Sequence, residues 1–182
     1  MKNTMSITLN VLIYLWLYLS LTSSVNALDS VSTKPLDVKM SLSCETCILD
    51  RHVVIISSIE NVGNEPVTIY GLLGWGALAG LTMHVADDKG RELQVESLAD
   101  GLIVPSTLVN TSYYVTLFTN HALTLSSNAN VNDIFAAPGK YTIWVSYRSP
   151  VPNRVSLIKK NFISFEDGAF ASNKVEVVIK EK

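Results

Sequence analysis

Apolar and polar residues alternate with a period of two along most of the chain. Leu36, Val38, Met40 and Leu42 are separated by Asp37, Lys39 and Ser41. Leu81, Met83 and Val85 flank Thr82 and His84, and Tyr141, Ile143, Val145 and Tyr147 flank Thr142, Trp144 and Ser146. Near the C-terminus Val175, Val177 and Ile179 repeat the pattern. Period two places one set of side chains on a buried sheet face and the other toward water, so each run predicts a half-buried strand. Val53-Val54-Ile55-Ile56 is apolar and β-branched throughout and predicts a central strand covered on both faces.

Turn residues sit between these runs. Asn61-Val62-Gly63-Asn64-Glu65-Pro66 ends the central strand, and Val67 to Tyr70 resumes an extended run. Asp87-Asp88-Lys89-Gly90 turns a hairpin whose return strand carries Leu93 and Val95. Val109 to Phe118, rich in Thr, Tyr and Val, predicts another strand. The stretch from 119 to 137 holds Ser126, Ser127, Asn128 and Asn130 and predicts a long loop. A Pro138-Gly139 turn then delivers Tyr141 to the next strand, and Ser172-Asn173 opens the last one. Short strands at this spacing point to an all-β sandwich or barrel. The final pair suggests the last two strands of an immunoglobulin-like antiparallel β-sandwich.

The same turn segments carry a family resemblance. Asn61 to Val67, Asp87 to Leu93, Pro138 to Tyr141 and Ser172 to Val175 resemble strand exits and entries of bacterial secreted immunoglobulin-like modules. The layout is also similar to the bacterial intracellular proteinase inhibitor family and to fibronectin type III domains. The resemblance implies that the Tyr141 hydroxyl ties down the turn before it, as in a tyrosine corner. It also implies a proteinase inhibitor as an alternative function. The chain departs from the inhibitors in its export signal, its cysteine pair and its longer segment before Pro138.

The N-terminus changes the setting. Lys2 is followed by the apolar run Val11 to Leu19, then by Ser and Thr residues and Val25-Asn26-Ala27. This is the order of a secretory signal peptide, with cleavage expected after Ala27. The run is short of the roughly 20 apolar residues of a spanning helix. The expected organisation is a signal peptide over 1–27, a flexible lead over 28–35 and one β-sandwich domain over 36–182. The expected location is secreted or periplasmic, with no membrane span after cleavage. The mature chain carries 13 basic and 16 acidic side chains, a net charge of −3. That mild charge gives no footing for nucleic-acid binding, which needs a clustered basic surface. Arg154 with Lys159 and Lys160 is the richest basic spot and reads as a solvated loop.

Little of the chain points to chemistry. Cys44-Glu45-Thr46-Cys47 is compact enough to be a local disulfide, a redox pair or half of a zinc site. In an exported chain two cysteines most simply pair with each other. The redox alternative, a thiol-disulfide oxidoreductase, needs a helix N-terminus at the first thiol. His52, His84 and His121 are scattered, so no metal or other cofactor is expected. No nucleophile elbow is present, so no catalytic residue is assigned. Gly71 to Gly80 is rich in glycine but lacks a phosphate-loop ending. Two readings stand for it. The loop either tucks Leu72, Leu73, Trp75 and Leu78 against one end of the domain or presents them to a partner. Trp144 falls on the polar face of its strand, where either a loop covers it or a partner does. The resulting expectation is a non-catalytic binding protein with an unknown protein or envelope partner.

Overall fold

The computed structural model describes residues 35–76, 79–95, 110–153 and 161–182. The predicted signal peptide, most of the lead, Leu78 and the Arg154–Lys160 basic spot lie outside the described residues. Among the described residues twelve strands run in chain order: β1 Leu36–Leu42, β2 Thr46–Ile48, β3 His52–Asn61, β4 Val67–Tyr70, β5 Gly74–Trp75, β6 Gly80–Asp87, β7 Glu92–Leu93, β8 Tyr114–Leu117, β9 Ala122–Asn130, β10 Gly139–Tyr147, β11 Phe170–Ala171 and β12 Val175–Lys180. The chain is therefore β-rich, and its α-helix among the described residues is the single turn α1, Val131–Ile134.

A three-stranded antiparallel sheet has the order β1-β3-β9. A larger sheet runs β2-β12-β10-β6-β5, with β11 added to β10 and β7 to β6. β4 and β8 form a separate antiparallel pair. The expected all-antiparallel sheet is corrected at two places, because β2 runs parallel to β12 and β5 parallel to β6. The final strand pair of the sequence reading is present: β10 and β12 are antiparallel, with Tyr141 opposite Val177 and Ile143 opposite Val175.

The alternating sets behave as their period requires. Leu36, Val38 and Met40 of β1, Val53, Ile55 and Ile59 of β3, Leu81, Met83 and Val85 of β6, and Ile143, Val145 and Tyr147 of β10 are buried in one hydrophobic cluster. Val177 and Ile179 of β12 join it. Burying one such side chain contributes about 1.5–3 kcal/mol. β3 is central in its sheet but covered on one face only. Ile56, on the far side of the three-stranded sheet, is 42% exposed.

Three local differences from the sequence reading matter. The predicted loop at 119–137 is strand β9 followed by α1. Leu123, Leu125 and Ala129 alternate toward the core, and pairing with β3 holds the weakly β-prone Ser and Asn residues extended. The strand predicted from Val109 shrinks to β8, because Thr111–Tyr113 coil into a 3-10 turn capped by Asn110. The hairpin return is the two-residue β7, although Val95 still packs against the core.

Side chains close the loose ends. The Tyr141 hydroxyl donates to the Ala137 carbonyl at 2.9 Å, the turn tie the resemblance implied. Asn61 is fully buried: its amide donates to the carbonyls of Glu65 and Leu117, and its oxygen accepts from the Gly63 N–H. The carboxamide of Asn173 accepts from the Met40 N–H at 2.9 Å and donates to the Met40 carbonyl at 3.1 Å. It stands in for a strand residue along the outer edge of β1, beside the parallel bridge between Val38 and Ser172.

Candidate functional site

The outward face of the larger sheet carries a polar and aromatic grouping. Trp144 of β10 lies directly opposite His84 of β6. Their rings stack with centroids 5.0 Å apart and planes 4° from parallel. Cross-strand neighbours meet in this way when both point to the same face. Lys174, just before β12, holds its ammonium 4.7 Å from the centre of the Trp144 ring, a cation–π contact. Among the described residues, side chains from β6 and from the segment before β12 pack on Trp144, and it stays partly buried.

His84 is fixed from two further directions. Its Nδ1 lies 2.6 Å from Glu92 Oε1, and its Nε2 lies 2.9 Å from Ser146 Oγ. A carboxylate only accepts, so Nδ1 carries a proton, and in the neutral ring Nε2 accepts from the serine hydroxyl. The order carboxylate–imidazole–hydroxyl is that of an acyl-transfer triad. Such chemistry also needs N–H donors aimed at a developing oxyanion. Ser146 is in ladder register with Thr82 on one side and Ala171 on the other, so its backbone groups belong to the sheet. The Val145 N–H is likewise taken by the Ser172 hydroxyl at 2.9 Å. The Ser146 and Val145 N–H groups are therefore engaged in the sheet and are not free to serve as oxyanion donors.

Along the same face lies an open cleft of about 800 Å3. Its lining includes Glu45 and Thr46 from the β2 side, Asp88 from the β6–β7 turn, Lys140 and Thr142 of β10, and Glu176 of β12. Asp87 in that turn is committed locally. The backbone N–H of Arg91 holds its carboxyl below the usual carboxylate range, helped by the Lys89 N–H and the Arg91 guanidinium.

The sequence-predicted residues separate into different environments. Cys44 and Cys47 form a disulfide with Cα atoms 5.6 Å apart. Cys47 is buried, and the chain after it continues as strand β2, so no helix N-terminus serves the thiols as the oxidoreductase alternative requires. Trp75 is 4% exposed, and its indole N–H donates to Ser127 Oγ on β9 at 2.9 Å. As a partner contact it is corrected: the loop tucks it into the core, with Gly76 and Gly80 at positive φ allowing the tight return. Leu73 packs partly against the core, whereas Leu72 is 41% exposed. His84, Glu92, Ser146 and Lys174 were missed as a group. Their residue types were visible, but only the β6–β10–β12 register brings them together.

No family model matches the chain, and no curated protein sequence is similar to it. Solved structures overlap it at low similarity. A CARDB domain from Pyrococcus furiosus, in complex with di-metal ions, has a TM-score of 0.38 at 10% identity, covering 81% of this chain and 94% of that one. An alkylpurine DNA glycosylase from Pseudomonas fluorescens, bound to DNA, gives 0.39 at 6% identity, covering 80% of this chain. A β-glucosidase from Listeria innocua gives 0.37 at 9% identity, covering 81%. The chain spans 30% and 16% of those two proteins. Their activities carry no weight for this chain.

Proposed function

We propose that the chain is an exported, non-catalytic immunoglobulin-like β-sandwich that binds another protein through the outward face around Trp144. The observation that carries the reading is a partly exposed tryptophan whose ring stacks on that of His84 on the outward sheet face. Large amphipathic rings fixed before contact lose little entropy on binding and are enriched at interaction centres. The adjoining cleft supplies both signs of charge for a polar rim. The export signal and the cysteine pair support a destination outside the cytoplasm.

The test is affinity capture by the immobilised mature chain from the extracellular or envelope fraction of its host. Wild type is compared with Trp144→Ala and with a Leu72→Asp variant. Capture lost with Trp144→Ala, and retained with Leu72→Asp, supports the sheet-face reading. Capture indifferent to Trp144 removes it. Hydrolysis of an activated ester that depended on Ser146 would overturn the non-catalytic part.

A further inference from the structure

A second surface stands apart from the sheet-face reading. In the three-stranded sheet, β9 is an edge strand nine residues long. The parity of its backbone groups follows from two bonds. Asn61 donates to the His121 carbonyl, and Val131 donates to the Arg51 carbonyl. In an antiparallel ladder bonded pairs recur every second residue. Odd-numbered residues from His121 to Val131 therefore aim their N–H and C=O groups at β3. Ala122, Thr124, Ser126 and Asn128 aim theirs away from it. Among the described residues these outward groups meet no backbone partner.

Among the described residues the edge also lacks the usual protections. Proteins guard long edges with charge, proline, bulges or covering segments. From Ala122 to Asn130 there is no charged residue and no proline, and the pairing with β3 runs unbroken for nine residues. Leu123 and Leu125 point inward yet remain only partly buried.

We propose that β9 pairs with β9 of a second copy of this chain, antiparallel about a two-fold axis at Ser126. This register sets Ser126 against its counterpart and Thr124 against Asn128 of the other copy. Every facing residue in it has outward backbone groups, so the three central pairs alone exchange about six hydrogen bonds. A register shifted by one residue would leave them unmatched. The sequence is self-complementary in the required sense. Hydroxyl meets hydroxyl at the axis, Thr meets Asn beside it, and no like charges face each other. On the inner face Leu125 of one copy would flank Ser127 of the other, and Leu123 would flank Ala129, extending the apolar cover of both leucines.

Sedimentation of the mature protein over a concentration series reads the association directly. A monomer–dimer equilibrium is expected. Ser126→Pro removes an outward N–H and leaves the β3 ladder intact, so a folded monomer is expected, with folding checked by circular dichroism. Ser126→Lys places two cations at the axis and should also give a monomer, recovering some dimer at high salt. Nitroxide labels fix the register. Labels at residue 126 should lie beside each other, and labels at residue 122 should stand about 27 Å apart, eight strand residues. A monomer at every concentration overturns the proposal, as does a dimer untouched by both Ser126 variants or one with close labels at residue 122. Loss of capture in the Trp144 experiment alongside an intact dimer would leave it standing.

Discussion

The two tryptophans among the described residues are in opposite circumstances. Trp75 sits in a glycine-rich segment that composition marks as a loop, yet it ends the short strand β5 and is core. Trp144 sits mid-strand among core residues, yet it faces out. Strand membership therefore says little about burial. What decides is which way the backbone aims the side chain and what polar partner waits there. The indole N–H of Trp75 finds Ser127 across the core, so the whole ring can leave water. Trp144 finds an imidazole face and an ammonium, and both keep it at the surface.

Substitution at the two positions should separate stability from binding. Trp75→Ala removes a buried aromatic and should cost about 3–5 kcal/mol, lowering the melting temperature by roughly 10 °C. An unchanged melting temperature would break the distinction. Reduction of the Cys44–Cys47 bridge acts on the Trp144 side, next to the cleft-lining Glu45 and Thr46. Its loop is short, so a loss of about 2 kcal/mol is expected. Alkylation of the unreduced protein should label neither cysteine. Ser127→Ala removes the hydroxyl that accepts from the Trp75 indole N–H and should cost about 1–2 kcal/mol in denaturant unfolding. Trp144→Ala should cost under about 1 kcal/mol while removing the fluorescence that acrylamide quenches most readily.

Acid supplies the mildest probe of the Trp144 side. Asp87 has a folded pKa below its unfolded value, so its contribution is present above the unfolded pKa. It is lost as pH falls through the folded one. The β6–β7 turn, and with it the placement of Glu92 on His84, should loosen below the ordinary aspartate range. Nuclear magnetic resonance of the Arg91 amide would show it.

The two surroundings also differ in how readable they were. Strand β10 and its pairing with β12 could be read from alternation and the Pro138-Gly139 turn, because one buried face dictates a period of two. The disulfide was readable from spacing and compartment. β9 was not, because Ser126 to Asn128 have low strand propensity and are extended only through their ladder with β3. The His84–Trp144 grouping was not readable either. Each residue occupies an unremarkable polar position in its own strand, and the site exists only in the cross-strand register.

One small feature bears on how far the proposed association can propagate. The side chain of Asn173 occupies the backbone donor and acceptor of Met40, and Ser172 bridges Val38 beside it, so the middle of the outer β1 edge is already engaged while β9 is open among the described residues. A sheet with two open margins is a monomer unit for a filament. With one margin stoppered by a carboxamide the valency falls to one, and growth ends at the first pairing. Asn173, together with the Val38–Ser172 bridge, would then limit growth, and Asn173→Ala should move the finite pair toward open-ended aggregation.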